Sequence, residues 1–437
     1  MLTLNFRFAL PLALLVLPAC PLSEKVGDNH SEPSGTDAAS SGTDPGDGTS
    51  SGTLTPEPTT TESSDSTVTE SSGSTTVMGG GPPSECGPPC TETWTHVGDL
   101  ELGSSNISTD EFKCMTRVVG DLGIYDLDQQ QLSGLRNLVS VEGNLFILSE
   151  TLTDLSPFSC LEDVTLQIQL GNAPKLSDVS GFSALRHTGR FIMQYTSATA
   201  VPTFSPEFSG LGLAEITGND ALVDLAGIAS WKPGDTGIWA IIRDNSGLKS
   251  IAGLQPLLAL NPAQSSVTLT NLPALESLAG LDGLTELNWI DLDFLPLIPD
   301  LAPLGQLKTV GFLDLSGMPL VEDLQPLSQL ETAGRLTIGS CVQFDLGSGM
   351  QGLTSLAGLS SLTTLEELAV YDNENLVTLA GADKLTSITK TWAEINNPAL
   401  DPAAVDAFVE QVGQGPCSSD DRACVCYDPE ESETDGV

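Results

Sequence analysis

The sequence predicts a β-rich solenoid, a coil of short parallel strands stacked turn upon turn. Three observations predict it. Apolar residues recur every 23 positions, at Leu269, Leu292, Leu315 and Ile338 and again at Val118, Val141 and Val164, the mark of a repeat architecture. Within one unit, Leu313 and Leu315 alternate with Phe312, Asp314 and Ser316, the period of a strand buried on one face. Gly, Pro, Ser and Thr crowd the first quarter of the 437 residues, which leaves roughly 300 residues able to build a core.

Taken from the amino terminus, residues 1–19 read as an export signal. Arg7 and the free amine precede an apolar run from Phe8 to Leu17, too short for a bilayer span of about 20 residues. Leu17-Pro18-Ala19-Cys20 resembles a bacterial lipobox. The resemblance implies that Cys20 is lipidated as the first residue of the mature chain. Pro21 after it implies sorting to the outer membrane, so a membrane partner is expected through the lipid anchor. Two or three acyl chains hold stably where one does not. The alternative is an ordinary secreted protein that keeps Cys20 in its tail.

Residues 20–84 are Ser/Thr/Gly/Pro-rich and acidic, with no Lys or Arg between Lys25 and Lys113. Such a segment buries too little apolar surface to offset its ordering entropy and is expected to be a disordered linker. As a flexible coil it would reach roughly 40–50 Å, and further under self-repulsion. Residues 85–117 follow as a cysteine-containing N-terminal cap.

The solenoid is expected over residues 118–400, about twelve turns by the repeat count. In the unit from Val310, the residues Leu324, Leu327 and Leu330 recur every third position, which suits a tight turn or short 3₁₀ segment. One turn offers about five buried aliphatics at about 1.5–3 kcal/mol each, against roughly 1.5 kcal/mol of ordering cost per residue. A lone turn therefore cannot fold, and the units must stack. The unit approximates L-x-x-L-x-L-x-x-N-x-L, the leucine-rich repeat pattern. Its Asn slot holds Asn219, Asn245 and Asn373, but Leu272, Leu295, Met318 and Cys341 elsewhere. A buried Asn there is expected to hydrogen-bond the turn backbone; an apolar substitute is expected to forfeit that bond and add packing.

The runs CMTRVVGDLGI, LRNLVSVEGNLFI and LTDLSPFSCLEDV resemble the receptor L-domain of insulin- and EGF-receptor-type ectodomains over about residues 110–412. The resemblance implies a right-handed parallel β-helix of leucine-rich-repeat-like, receptor L-domain-like turns and a recognition role. It carries over no catalytic residue. Residues 401–413 are expected to form a capping helix, with Asp401 as N-cap, Pro402 at the first helical position and Gly413 after the last turn. Val405, Phe408, Val409 and Val412 give it one apolar face. Residues 414–437 form an acidic tail with Cys417, Cys424 and Cys426.

An exported chain makes disulfides the expected use of these cysteines. Zinc fits poorly, since Cys86-x3-Cys90 and Cys424-x-Cys426 lack matching partners at zinc-like spacing. Cys114 and Cys160 lie 46 residues apart, two turns. Rungs about 4.8 Å apart place their Cα atoms about 9–10 Å apart, beyond the roughly 7 Å limit for a bridge. They should not pair with each other, and Cys86 and Cys90 are their expected partners. Cys341 is expected as a buried thiol.

The same register assembles a candidate ligand-binding patch on the outward sheet face. Trp289 should lie beside Phe312 and then Arg335, Asp291 beside Asp314, and Asp293 two residues along; Trp239 and Arg243 join two turns earlier. One reading is a solvated sheet face whose Asp and Thr are ordinary outward residues. Another is a recognition patch in which aromatics stack on a sugar ring or partner side chain and carboxylates accept hydrogen bonds. Like charges one strand apart are unfavourable, which points to a cation or a basic partner; a third reading is calcium coordination.

A net charge of -42, from 58 acidic and 16 basic residues, argues against nucleic acid, whose phosphates need cations. No G-x-S-x-G, Walker or dinucleotide motif occurs. His96 falls in the cap and His187 in a turn, with no nucleophile motif nearby. The chain is therefore read as a non-enzymatic surface recognition or adhesion protein that binds a protein or glycan partner and needs no cofactor or metal. The alternatives are a polysaccharide-acting β-helix enzyme using Asp291, Asp293 and Asp314, or a purely structural envelope protein.

Overall fold

The computed structural model describes residues 90–103, 111–340 and 349–417. The export signal, Cys20, the 20–84 linker, Cys86, Cys341, Cys424 and Cys426 lie outside the described residues.

Among the described residues, sixteen strands form one sheet, each parallel to its neighbours. They are β1 (Trp94–Val97), β2 (Leu100–Gly103), β3 (Met115–Val119), β4 (Leu122–Tyr125), β5 (Ser140–Val141), β6 (Asn144–Leu148), β7 (Asp163–Gly171) and β8 (His187–Gln194). Then follow β9 (Leu213–Thr217), β10 (Trp239–Arg243), β11 (Ser266–Thr270), β12 (Glu286–Asp293), β13 (Thr309–Leu315), β14 (Thr332–Ile338), β15 (Thr364–Tyr371) and β16 (Ile388–Ile395). Helices among the described residues are few: α1 (Gln129–Leu132), α2 (Leu254–Leu258) and α3 (Pro402–Val412), with short 3₁₀ turns between strands. The fold is a leucine-rich-repeat-like β-solenoid.

The early rungs are bent in two. β1 and β2, β3 and β4, and β5 and β6 each flank a bend, and the nine-residue β7 pairs with β5 at its start and β6 at its end. The bend stacks because side chains repeat through it. Asp99 Oδ1 accepts from the Asp121 amide at 2.9 Å, and Asp121 Oδ1 accepts from the Asn144 amide at 2.8 Å. Gly120 sits in the bend at φ +141°, with the Gly98 carbonyl 2.6 Å from where a Cβ would stand, so no other residue fits there.

From β9 to β13 the strands stack in unbroken register. Leu269 lies on Leu292, which lies on Leu315, which lies on Ile338, all fully buried. The opposite wall is the 3₁₀ edge. Leu324, Leu327 and Leu330 line the core there, around a 3₁₀ segment over Gln325–Gln329. These turns are held by short polar side chains. Asp178, Asp224, Asp300 and Asp323 each accept from the amide two residues on, at 2.8–2.9 Å, the Asx-turn that makes Asp favourable at this slot.

From β7 on, the corner after every strand but β14 is equally regular. Asn172, Tyr195, Gly218, Asp244, Asn271, Phe294, Gly317, Asp372 and Asn396 all adopt positive φ, between 47° and 67°. Asn, Asp and Gly tolerate that region; Tyr195 and Phe294 are exceptions for their size.

The Asn slot resolves into two bonding schemes. Asn219 Oδ1 accepts from the Thr196 amide at 3.0 Å, Asn245 Oδ1 from the Asn219 amide at 2.9 Å, and Asn397 Oδ1 from the Asn373 amide at 3.0 Å. At the apolar slots Leu272 and Leu295 the slot's N–H still finds an acceptor. The Leu272 amide donates to the Phe294 carbonyl and the Leu295 amide to the Gly317 carbonyl, both at 3.2 Å. The expectation of a lost bond is thus corrected: the left-handed corner of the next turn turns its own carbonyl inward to take the place of the Asn oxygen.

The C-terminal end is covered by α3. Asp401 caps it through the Ala403 amide, and Gly413 closes it in the left-handed conformation. Phe408 meets Trp392 edge-on at 5.1 Å between ring centroids, and the Trp392 indole donates to the Gln414 carbonyl at 3.0 Å. At the other end Cys114 bridges Cys90, with Cα atoms 5.7 Å apart. It does not bridge Cys160, and Asn137 occupies the rung between, donating to the Lys113 carbonyl at 2.7 Å. Cys160 and Cys417 are also disulfide-bonded.

Candidate functional site: an aromatic and acidic sheet face

Side chains alternate strictly along β10 to β14, so alternate residues build the outward face in rows. One row runs Trp239, Ser266, Trp289, Phe312 and Arg335; the next runs Ile241, Thr268, Asp291, Asp314 and Thr337. In the third, Asp293 follows Thr270, and its carboxylate accepts a hydrogen bond from the Ser316 hydroxyl. The structure therefore brings together Trp289, Asp291, Asp293, Phe312, Asp314 and Arg335, with Trp239 two strands away from Trp289.

Trp289 and Phe312 stack, with ring centroids 4.7 Å apart and planes 23° from parallel. Trp239 is 44% exposed and Phe312 37%. The Trp239 indole N–H donates to Thr268 Oγ1 at 3.3 Å, which orients the ring over the floor of β11. Ile241, Ser266, Thr268 and Thr337 are buried, so the aromatics stand above a close-packed floor.

Asp291 and Asp314 face each other across adjacent strands. Burial, followed by the charges of Asp314 and Asp293, pushes the Asp291 carboxyl up to about 7, and Arg243 opposes the shift. Burial also raises Asp314, against a hydrogen bond with Thr337 and the charge of Arg335. Two atoms of this face stay buried without a hydrogen-bond partner: Asp314 Oδ1 and Arg243 Nε. Arg335 Nε donates to Thr337 Oγ1 at 3.2 Å.

Sequence reasoning missed Glu367 and Tyr371. Glu367 lies beside Arg335 in register, and Tyr371 is buried on the outward side of β15. The turn between β14 and β15 is longer than 23 residues, so spacing alone does not align them; the alternation in LEELAVY was the available signal. His187 is corrected too. It is the first residue of β8, with Nδ1 3.1 Å from the Ser209 carbonyl, rather than part of a turn. Strand β8 begins early because it pairs with β7 from Asp163 onward. Among the described residues no group of three or more His, Cys, Asp or Glu is placed to hold a metal ion.

No known family matches the chain, and no curated protein does. Among solved structures, it is similar to an internalin (inlF) of Listeria monocytogenes str. 4b F2365, at 18% identity and a TM-score of 0.34, over 66% of this chain and 85% of that one. At these values the neighbour says nothing about what this chain binds.

Proposed function

We propose that this chain is a non-enzymatic, surface-tethered recognition or adhesion protein that binds a protein or glycan partner through the sheet face of a receptor L-domain-like solenoid. The observation that carries this reading is the half-exposed Trp289–Phe312 stack with Trp239 in the same row. Large aromatics left in water on consecutive rungs cost hydration free energy without serving the core, and such residues anchor interfaces. Trp94, Tyr125 and Tyr195 are exposed elsewhere along the chain, but among the described residues only Trp289 and Phe312 pair as a stack on adjoining outward rungs.

The three carboxylates do not require an enzymatic reading, because a repeat stacks like residues on any face. Incubation with acidic and neutral polysaccharides should release no reducing ends or unsaturated sugars. Anchoring through Cys20, with an outer-membrane, surface-exposed address, is part of the proposal; labelled palmitate should enter the wild-type chain and not Cys20→Ala. The binding reading is tested on protein and glycan arrays. Trp289→Ala and Asp314→Ala should retain the wild-type far-UV spectrum and lose the signal, whereas unchanged array binding would rule out the patch.

A further inference from the structure

We infer that the stretch of sheet face from Trp239 to Arg335 docks a basic segment of a protein partner, with a Lys or Arg head group seated against Asp291 and Asp314 and its stem along the aromatic row. This deepens the recognition reading above and rests on it.

Charge complementarity carries the choice of occupant. Asp291, Asp293 and Asp314 converge on neighbouring strands, and no Lys or Arg forms an ion pair with Asp291 or Asp314 among the described residues. Like charges at that spacing repel, and an incoming cation relieves the repulsion. Asp314 Oδ1 lies buried beneath this face and no donor among the described residues meets it, so the carboxylate's charge is not offset there by a hydrogen bond to that oxygen. The aromatic row matches the same occupant. Trp239 and Trp289 stand two strands apart across Ser266, about 9–10 Å by strand spacing, and a guanidinium or an alkyl stem lies favourably on an indole face.

The test uses the full chain, titrated at physiological salt and followed by tryptophan fluorescence. The probes are a decapeptide of alternating Arg and Gly, its citrulline counterpart of equal shape without charge, and a chito-oligosaccharide. The proteins are wild type, Trp289→Ala, Asp314→Asn and Glu322→Gln, the last removing one exposed acid elsewhere on a very acidic molecule. The Arg peptide should bind wild type and Glu322→Gln equally, at least tenfold more weakly to Trp289→Ala and Asp314→Asn, and the citrulline peptide should not bind. Equal loss in Asp314→Asn and Glu322→Gln would mean unspecific attraction to net charge and overturn the inference. So would no Arg-peptide binding. Oligosaccharide binding that depends on Trp289, with no Arg-peptide binding, would overturn this inference and leave the recognition reading standing.

Discussion

Two sets of turns solve one backbone problem differently. At Asn219–Asn245 and Asn373–Asn397 a buried amide side chain accepts the slot's N–H and donates to carbonyls of neighbouring turns. At Leu272 and Leu295 the slot's N–H reaches the next turn's corner carbonyl, and the side chain is free to fill the core. The amide links tolerate varied spacing, with partners 23, 26 and 24 residues apart. The aliphatic turns keep 23 and carry the aromatic and acidic face. A side-chain amide bridges a gap of variable geometry, whereas a direct backbone bond demands identical neighbouring turns. Regularity is therefore what places Trp289 on Phe312 and Asp291 on Asp314.

Exchanging the two solutions is the severest way to break the contrast. Leu295→Asn leaves a cavity and puts a polar amide in place of a buried aliphatic side chain, and it should cost about 4 kcal/mol. Asn219→Leu strips partners from the Thr196 amide and hydroxyl and from the Met193 and Thr217 carbonyls, and should cost about 3 kcal/mol. Urea unfolding followed by circular dichroism measures both. Near-neutral results for either would mean that the two slots are interchangeable.

A smaller effect sharpens what the regular run gives up for its register. Asp291 faces Asp293 on its own strand, Asp314 on β13, Thr268 on β11, and the more distant charges of Arg243 and Arg335. Its folded carboxyl titrates near 7 rather than 3.8, so the folded chain holds a proton that the unfolded chain has released. Stability from this group is complete below 3.8 and falls as pH rises towards 7. Asp291→Asn should stabilise the protein by a few kcal/mol at pH 8, with about 4 kcal/mol as the ceiling, and should have little such effect at pH 3.5. A gain independent of pH would show that burial, not ionisation, sets the cost.

The corners give the mildest contrast. Gly317 and Gly218 are both left-handed, but a Cβ on Gly317 would meet the Phe294 backbone nitrogen at 2.6 Å, and one on Gly218 would meet only the Tyr195 ring. Gly317→Ala should cost about 2 kcal/mol and Gly218→Ala about 1 kcal/mol. The difference in melting temperature between the two variants checks it, and a reversed order would mean that the ring is the less yielding neighbour.

Much of this was legible in the chain because repetition turns spacing into position. The interval from Leu269 to Ile338 yields the strand pairs, and those pairs yield the patch from Trp289 to Arg335. The Asp-Pro start and Gly end of α3 are written in local chemistry. Where the interval breaks, legibility stops. Glu367 and Tyr371 follow a longer turn, and the bend at Gly98, Gly120 and Gly143 depends on which atoms meet across rungs.

By itself the sequence determined the repeat, the parallel strands and the row order of the outward face, because each follows from counting residues along a periodic chain. Only the tertiary structure decided that the apolar slots Leu272 and Leu295 keep their hydrogen bond, that Asp314 Oδ1 and Arg243 Nε go without one, and that Asp291 is held near neutrality. These properties depend on distances and burial between turns, and a carboxylate's charge is set by the dielectric and the charges around it, which no spacing in the sequence encodes.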